Sequence, residues 1–332
     1  MKKIIISMII FITFIFGIKI KAYNLSKDDK IYVGGEAIGI KLHNGIEVVG
    51  TFGVINNKKI YKPWDKTGLK EGDYIVSLHN REVWTKEDLL SILKVVDDKE
   101  IPIQYRRGTN IVSSYITPAK TDNGYSLGLY IKDSIQGVGT LTYYIKDANI
   151  FGSLGHKITD SSFIDGEIYK AEVTGIVMPT RNHAGEKQAK IIGKAIGSIS
   201  KNTNSGVHGV TNSRFQDDNL IEIPFKTREN VHLGEAIIKT CIDGVNVEDF
   251  KVQIIGLEKQ DEKDVKGITL KITDEKLLKK TGGIVQGMSG SPIIQDGALV
   301  GAITHVSLKD STLGYGIYIE WMFQDMDIKI VE

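Results

Sequence analysis

A serine set between glycines near the carboxyl end of the chain has the surroundings that a nucleophile needs. The stretch Gly-Met-Ser-Gly-Ser covers residues 287–291. A catalytic serine requires a sharp turn that exposes its side-chain oxygen and aims backbone N–H groups at the oxyanion that develops during acyl transfer. Gly287 and Gly290 permit such a turn. Ser289 is therefore the candidate nucleophile and Ser291 the second candidate, while an inert hairpin rich in Gly and Ser is the alternative.

His156 is the candidate general base. It follows an apolar segment that predicts a strand, and the glycine beside it favours a projection into a cleft. It precedes Ser289 by 133 positions, which is the order and the rough separation of base and nucleophile in a two-barrel serine protease. A lone histidine is usually structural, so the pairing with Ser289 is what favours catalysis.

The acid that would orient His156 is not fixed by the residues alone. Asp160 and Asp165 lie too near the histidine in sequence to be strong candidates. Asp274 follows an apolar strand pattern and precedes the serine, but its side chain is equally suited to N-cap a short helix that Gly282 would close. Both interpretations of Asp274 stay open at this level.

Neither a metal nor an organic cofactor is expected. The chain has no closely spaced His/Asp/Glu cluster, and its single cysteine, Cys241, lies in an alternating apolar run typical of a half-buried strand. The net charge of +1 over 332 residues argues against nucleic acid as a partner, because phosphate binding usually requires a basic excess.

The N-terminal 21 residues have the pattern of an export signal. Two lysines precede an unbroken apolar run from Ile4 to Ile18, and further lysines follow it. The run is shorter than the roughly 20 residues that cross a bilayer comfortably, and no clear Ala-x-Ala site follows. We interpret 1–21 as a signal peptide or an uncleaved signal anchor, favouring the anchor, and 22–29 as a linker. The rest of the chain is then expected outside the cytoplasm.

Residues 30–118 show a strand, strand, turn, strand, helix, hairpin order that resembles a PDZ domain. The resemblance lies in Gly-Leu-Lys-Glu-Gly-Asp-Tyr-Ile at 68–75, in a hairpin at Arg106-Arg-Gly108, and in Ala37-Ile38-Gly39-Ile40. By that resemblance, Ala37, Ile38, Gly39 and Ile40 form the loop that binds a peptide carboxylate, and the peptide adds as a strand beside Ile40–His43. Asn44-Gly45 predicts a hairpin to the next strand, and Thr85 a helix N-cap.

After a linker at 119–126, residues 127–332 predict an all-β domain. Many short apolar runs separated by turns such as Asp243-Gly244 indicate a barrel or a sandwich. The more polar stretch 181–219 is interpreted as a long surface loop near the site. The strand Ala298–Val306, which follows the serine, is expected to line the first specificity pocket.

The serine segment resembles the Gly-Asp-Ser-Gly-Gly-Pro segment of chymotrypsin-like proteases. By that resemblance the N–H groups of Gly287 and Ser289 form the oxyanion hole. Met288 stands where that family has Asp, so activation by an ion pair with a new N-terminal amine is not expected. Ser291 replaces the second glycine, and Ser289 is preferred because it is flanked by glycines at the position of the family's serine.

Together these features resemble the stage IV sporulation protein B signalling proteases of spore-forming Firmicutes. The matching segments are Leu127–Asp133, Gly137–Thr140, Leu154–His156, Leu270–Asp274, Thr281–Ile294, Gly301–Val306 and Gly314–Trp321. The resemblance implies a mostly β fold, in which a signal anchor and a PDZ domain precede a chymotrypsin-like double β-barrel. It also implies a triad of His156, Asp274 and Ser289.

The same resemblance implies a cellular role. The protease would reside at the forespore membrane, facing the space between the membranes, and would cleave itself near its N-terminus. It would also cut a membrane-bound regulator of an intramembrane metalloprotease that processes a sigma factor, while the PDZ domain governs self-cleavage and substrate engagement. Two alternatives are a degradative protease of the high-temperature-requirement type, in which PDZ domains follow the protease, and a non-catalytic PDZ scaffold.

Overall fold

A computed structural model describes residues 23–42, 45–132, 136–158, 166–181, 183–215 and 220–332. The signal segment predicted at 1–21 lies outside these residues and stays a prediction. Within the described ranges, no helix has both the length and the apolar character needed to cross a membrane.

The described chain consists mainly of short strands. The N-terminal part holds β1 (Tyr23–Ser26), β2 (Lys30–Val33) and β3 (Ala37–Leu42). A middle part holds β4 (Ile46–Thr51), β5 (Val54–Asn56), β6 (Lys59–Tyr61), β7 (Tyr74–Leu78), β8 (Arg81–Glu82), α1 (Lys86–Leu93), β9 (Ile101–Arg107), β10 (Asn110–Ile116), β11 (Ala119–Thr121), β12 (Gly124–Ser126) and β13 (Leu129–Lys132).

The remaining elements continue in chain order. They begin with β14 (Gln136–Ile145), a 3-10 turn at Lys146–Ala148, β15 (Ile150–Ser153), β16 (Gly166–Val177), β17 (Glu186–Thr203), β18 (Gly206–Thr211), β19 (Ile221–Pro224) and a 3-10 turn at Arg228–Asn230. They end with β20 (Gly234–Cys241), β21 (Val247–Leu257), β22 (Ile268–Ile272), α2 (Glu275–Thr281), β23 (Pro292–Gln295), β24 (Ala298–Val306), β25 (Leu313–Tyr318), α3 (Ile319–Asp325) and β26 (Ile328–Val331).

Six strands close a first barrel in the order β14-β3-β16-β17-β18-β15, and β15 pairs back onto β14. Period-2 alternation turns the apolar side chains of these strands inward. They form one buried cluster that includes Ile40, Phe151, Ile168 and Val207. The strands β2 and β19 extend the sheet from the edge of β14.

A second barrel closes in the order β20-β21-β22-β25-β24-β23. Its interior belongs to the largest apolar cluster of the described chain, with Phe250, Ile293, Val300 and Ile317 fully buried. Two closed six-stranded barrels in one chain confirm the prediction of a mostly β, double-barrel architecture.

The middle part, residues 45–132, forms a separate sheet that interrupts the first barrel between β3 and β14. Its strand order is β10-β9-β7-β4-β13, and β8 pairs with β7. Leu89, Ile92 and Leu93 of α1 pack on a cluster of their own with residues of this sheet. Thr85 caps α1 through a capping box with Asp88, which confirms the predicted N-cap. We call residues 45–132 the inserted module.

The Gly-Leu-Lys-Glu-Gly-Asp turn of this module has a clear local cause. Gly68 and Gly72 adopt φ of +74° and +86°, in the left-handed region that favours glycine. The buried Asp73 carboxylate accepts two hydrogen bonds of 2.7 Å from Arg107, which lies in the predicted hairpin between β9 and β10. The charge pair therefore fixes the turn against the hairpin.

The boundaries predicted for this module, and its predicted peptide-binding loop, are wrong. Residues Ala37–Leu42 form β3, which pairs with β14 on one edge and β16 on the other inside the first barrel. Ala37, Ile38 and Ile40 are buried, so neither a free N–H nor a free strand edge is left for a peptide. Asn44 of the hairpin predicted at Asn44-Gly45 lies outside the described residues, but β3 and β4, which that hairpin would pair, lie in different sheets.

The module also ends later than predicted. The expected linker 119–126 contains the hairpin β11–β12, and β13 completes the sheet beside β4. The predicted PDZ unit at 30–118 is therefore corrected to an insertion at 45–132, because β3 is a strand of the first barrel and β2 extends the sheet of that barrel.

The surface loop predicted at 181–219 is mostly strand. β17 runs for 18 residues, pairs with β16 and then continues against β18. The first half of β17 is paired but mostly exposed. Polar side chains and glycines are therefore tolerated there, and they hide the alternation of apolar and polar residues that usually predicts a strand.

Candidate active site

A cleft between the two barrels contains both predicted catalytic residues. Its volume is about 580 Å³. Residues from β14, from the segment that follows β15 and from the start of β17 line one side, and the serine turn and β24 line the other. The described lining residues are Gly137, Val138, Leu154, His156, Ile158, Ala184, Glu186, Lys187, Ile284, Val285, Gln286, Gly287, Ser289, Ile303, Thr304, His305, Val306 and Leu308.

Ser289 and His156 meet in this cleft. The Ser289 hydroxyl has two acceptors for its one proton, the Nε2 of His156 at 2.9 Å and the Thr304 carbonyl at 3.1 Å. The other candidate, Ser291, is fully buried, and its Oγ has no hydrogen-bond partner in the part of the chain that the structure describes. Of the two candidate serines, Ser289 combines access to the cleft with a base and Ser291 does not, and the structure thereby separates the two serines that the sequence leaves side by side.

Strand β14 of the first barrel is hydrogen-bonded to the serine turn. The Thr140 N–H donates to the Ser289 carbonyl at 2.9 Å, and the Thr140 hydroxyl donates to the Gly287 carbonyl at 2.8 Å. The Thr142 hydroxyl donates to the Gly290 carbonyl at 2.7 Å. A Cβ at Gly290 would lie 2.2 Å from the Thr140 oxygen, so only glycine allows this approach.

The two predicted oxyanion donors are unpaired. Among the described residues, the N–H groups of Gly287 and Ser289 donate to no protein acceptor. Gly287 adopts a φ of +90°, which a non-glycine residue rarely tolerates. Met288 is buried in the core of the second barrel, so an apolar anchor stands where chymotrypsin-like enzymes carry an acid. The arrangement suits an oxyanion hole, whose role stays a prediction.

The Nδ1 of His156 contacts a backbone carbonyl. It lies 2.8 Å from the oxygen of Lys157. A carbonyl can only accept, so Nδ1 carries the proton and Nε2 of the neutral ring is the acceptor for the Ser289 hydroxyl. The tautomer that general-base catalysis requires is thus set by the chain itself.

Asp274 is not brought to His156 in this structure. Its carboxylate accepts from the Leu277 N–H at 3.0 Å and from the Lys251 N–H at 3.3 Å, as the N-cap of α2. Gly282 closes that helix with φ +68°. The helix-cap interpretation of Asp274 is therefore confirmed. Its predicted role as triad acid has no contact to support it among the described residues; Asp160 and Asp165 lie outside them.

His305 stands beside the catalytic histidine. The two ring centroids are 5.3 Å apart. Burial, followed by the charge of His156, lowers the pKa of His305 below its ordinary value. His305 is therefore expected to be neutral at pH 7. The sequence places it only as a possible border of the pocket, which the lining of the cleft bears out.

Lys187 is the residue that sequence reasoning missed. It is 1 % exposed, and its ammonium donates to the Thr240 hydroxyl at 2.7 Å. Burial lowers its pKa to about 7. Its N–H donates to the Gln286 carbonyl, and its stem lies against Gly287. A lysine in a polar stretch gives no sequence signal of burial, and only the pairing of β17 reveals it.

The described residues contain no group of three or more His, Cys, Asp or Glu side chains close enough to hold a metal ion. Cys241 ends strand β20, as its alternating pattern predicts, and it is buried.

A serine paired with a histidine between two closed barrels defines a serine peptidase of the double-barrel class. The chain belongs to the SpoIVB peptidase S55 family, whose model matches residues 123–323. The resemblance inferred from the sequence motifs is thereby confirmed. No curated protein sequence matches the chain significantly.

Among solved structures, the chain is similar to the Rv3671c protease of M. tuberculosis. The active form aligns with 12% identity and a TM-score of 0.33, over 58% of this chain and 73% of that one. The inactive form aligns with 12% identity and a TM-score of 0.32, over 57% and 84%.

Proposed function

We propose that the protein is a serine endopeptidase that works through an acyl-enzyme. The observation that carries this proposal is the 2.9 Å contact between the Ser289 Oγ and the His156 Nε2 in an open cleft. Ser289 attacks the peptide carbonyl while His156 takes its proton, and the oxyanion is received by the N–H groups of Gly287 and Ser289. His156 then returns the proton to the leaving amine, and a water molecule releases the acyl group by the same steps.

The imidazolium that forms during attack needs a partner. In this mechanism the Nδ1–H of His156 donates a hydrogen bond to the Lys157 carbonyl throughout, where other serine proteases have a carboxylate. A neutral acceptor stabilises the imidazolium less than a carboxylate does. The proposed enzyme is accordingly slow, as suits a protease that makes one or a few regulatory cuts.

The cellular role is proposed from family membership and from the N-terminal sequence pattern. The protein is a signalling protease of sporulation, held at the forespore membrane by residues 1–21. It cleaves itself and a membrane-bound regulator of an intramembrane metalloprotease. The degradative alternative is less favoured because the inserted module precedes most of the protease instead of following it.

We further propose that the inserted module binds peptides as a PDZ domain does, at an edge other than the one first expected. β13 is the terminal strand of its sheet, and Leu129 and Ile131 pack on the same apolar cluster as α1. A peptide would add beside β13. Ile131→Arg should abolish binding of apolar peptides to the full chain, whereas Ile111→Arg on the opposite terminal strand, β10, should not.

The test of the enzymatic proposal compares wild type with Ser289→Ala and Ser291→Ala. Each protein is treated with an alkyl fluorophosphonate and examined by intact mass before and after prolonged incubation. Wild type and Ser291→Ala should take up one label and shed N-terminal fragments, whereas Ser289→Ala should do neither. Labelling lost in Ser291→Ala alone would reassign the nucleophile, and no labelling of any folded protein would favour the scaffold.

A further inference from the structure

One hairpin of the inserted module carries isoleucines on its open face. Strands β5 and β6 form a two-stranded sheet of their own, with Ile55 directly opposite Ile60. Neighbouring residues of a strand point to opposite faces, so Val54 is buried while Ile55 and Ile60 face outward, 70 % and 67 % exposed. The open face of such a hairpin is ordinarily polar. Folding of the module therefore does not account for this apolar pair.

The hairpin is a well-defined projection. Asn57 and Lys58 form its two-residue turn with φ of +49° and +63°, as in a type I′ turn. At the root, the Trp64 indole N–H donates to the Phe52 carbonyl at 3.0 Å, and the Phe52 N–H donates to the Gly128 carbonyl at 2.8 Å. A convex surface fixed in this way suits a flat partner better than a single extended peptide.

Charge of one sign surrounds the two isoleucines. Residues 54–62, which we call the basic hairpin, include the exposed Lys58, Lys59 and Lys62 and no Asp or Glu. Tyr61 adds an exposed aromatic ring of the kind that gathers at membrane–water interfaces. An apolar pair framed by lysines is complementary to a surface that is anionic outside and apolar just beneath. A bilayer with acidic headgroups has these properties.

The N-terminal segment also favours a bilayer as the partner. The first strand, β1, begins at Tyr23 and pairs with β26. The apolar segment predicted as an anchor ends only two positions earlier, at residue 21. An extended residue spans at most about 3.6 Å, so an anchor retained at 1–21 would hold β1 and β26 close to the lipid headgroups.

We infer that the basic hairpin docks on an anionic lipid surface, with Ile55 and Ile60 in the interface and its lysines at the headgroups. The inference goes beyond the proposed peptidase activity and rests on the proposed membrane attachment by residues 1–21. Tyr130 of β13 stacks on Phe52 at the root of the hairpin, with ring centroids 4.8 Å apart. Docking therefore brings the proposed peptide-binding edge close to the bilayer.

The experiment places the full chain in lipid nanodiscs and observes the hairpin separately from the anchor. Asn57→Cys carries an NBD fluorophore, which goes to this site because Cys241 is buried, and the lipid headgroups carry a nitroxide quencher. The ratio of docked to free hairpin, read from the quenching, should be higher with phosphatidylglycerol than with phosphatidylcholine alone, by roughly 5-fold per lysine at the surface. The same fluorophore on Thr109→Cys, in the turn between β9 and β10 at the opposite edge of the sheet, should stay unquenched.

Two further variants separate the apolar part from the charged part. Ile55→Thr combined with Ile60→Thr keeps β-branched side chains and should lower the docked ratio about 10-fold or more. Lys59→Gln combined with Lys62→Gln should lower it roughly 25-fold with phosphatidylglycerol and leave it unchanged with phosphatidylcholine alone. Ile111→Thr, which changes an exposed isoleucine on β10, is the control and should have no effect. All should take up the fluorophosphonate as wild type does, because none of these residues lines the cleft.

The outcomes separate docking from attachment. A chain that migrates with the discs while the Asn57 position stays unquenched would overturn the docking and leave the attachment standing. A chain that does not migrate with the discs would overturn both. Equal quenching in the two lipids, or at Thr109, would contradict recognition of anionic lipid by this hairpin. A response to a polyglutamate peptide without one to phosphatidylglycerol would assign the surface to an acidic protein segment instead.

Discussion

At the scale of single residues, the least expected feature is how His156 is oriented. The carbonyl of the next residue, Lys157, accepts a hydrogen bond from the Nδ1–H of His156. The carboxylate that the family resemblance assigns to the triad, that of Asp274, caps a helix. A carbonyl cannot be removed by mutation, so the orientation of this histidine depends on the loop that follows β15. The two possible roles of Asp274 make different predictions.

Asp274→Ala should lower stability more than activity. The loss of an N-cap costs about 1 kcal/mol, and kcat/KM per active site should fall by less than about 10-fold. Melting temperature and phosphonate inactivation rate measure the two effects. Thr85→Ala is the matched control, because it removes the N-cap of α1 in the inserted module. A loss of about 10³-fold or more with unchanged melting would show that the carboxylate reaches His156 during the reaction.

Lys187 predicts a pH dependence of stability. Burial lowers the pKa of Lys187 from 10.5 to about 7. Between pH 7 and pH 10.5 the amine is therefore protonated in the unfolded chain and neutral in the native protein. Native stability therefore rises with pH across that window. Lys187→Met keeps the stem that supports Gly287 and removes the charge. It should be more stable than wild type at pH 6 by a few kcal/mol, at about 1.4 kcal/mol per pKa unit, and this advantage should shrink toward pH 10.

Urea melts at several pH values measure this difference. Lys190→Met is the control, since Lys190 is exposed on the same strand, β17, and should show no such trend. A gain for Lys187→Met that stays constant from pH 6 to pH 10 would contradict a buried, weakly basic amine.

At the scale of elements, the catalytic turn depends on a strand from the other barrel. β14 gives the turn three hydrogen bonds, two of them from the Thr140 and Thr142 hydroxyls. The backbone of Gln286 is hydrogen-bonded to Gly185, just before β17, and to Lys187, at the start of β17. The geometry of the oxyanion hole therefore depends on how the two barrels meet, although the turn itself belongs to the second barrel.

Thr140→Val should impair the chemical step. Valine has a similar shape but leaves the buried Gly287 carbonyl without its donor, at a cost of about 1–3 kcal/mol. We expect kcat to fall about 10-fold or more while KM changes by less than about 2-fold, as measured with a peptide substrate that the wild-type protein cleaves. Thr174→Val on β16, outside the cleft, should change neither constant. A rise in KM as large as the fall in kcat would indicate a damaged binding site instead.

Much of this element structure is readable from the sequence, and the exceptions share one cause. Strands of the second barrel and the helix cap at Thr85 follow from local alternation and capping chemistry. Ser289 and His156 follow from glycine spacing and chain order. The errors concern pairing partners: β3 reads as a PDZ strand because its Ile-Gly-Ile pattern suits either sheet, and nothing local says which sheet it joins. The buried state of Lys187 and the cap role of Asp274 are likewise decided by distant strands.

At the scale of the whole molecule, the inserted module is an interruption of one hairpin. β3 and β14 are antiparallel neighbours, with Lys41 opposite Gln136, and the chain between them makes an entire sheet with its own core. The catalytic cleft receives no residue from that sheet among those described. The protease barrels should therefore not need the module to fold.

Replacing residues 43–134 by Asn-Gly, which keeps the register of Lys41 opposite Gln136 and closes β3 onto β14 with a two-residue hairpin, should give a folded protein that still takes up the fluorophosphonate. Circular dichroism and active-site counting measure the result. Self-cleavage and selection of protein substrates should be lost, because the peptide-binding edge is gone. As a control, the same replacement in Ser289→Ala should fold but take up no label. Failure of both shortened proteins to fold would show that the module is part of the barrel's structure.

The module's own termini are adjacent, and this matters for the order of folding. Glu47 on β4 lies opposite Lys132 on β13, so a folded module returns the chain to within a few residues of where it left the barrel. If the module were unfolded, pairing β3 with β14 would close a loop of roughly 90 residues. With the module folded, the loop to be closed is roughly ten residues, which lowers the entropic cost of closure by about 2 kcal/mol. During synthesis β3 emerges before the inserted module and β14 after it. The module can therefore fold first, and its folding brings β14 close to β3 for pairing.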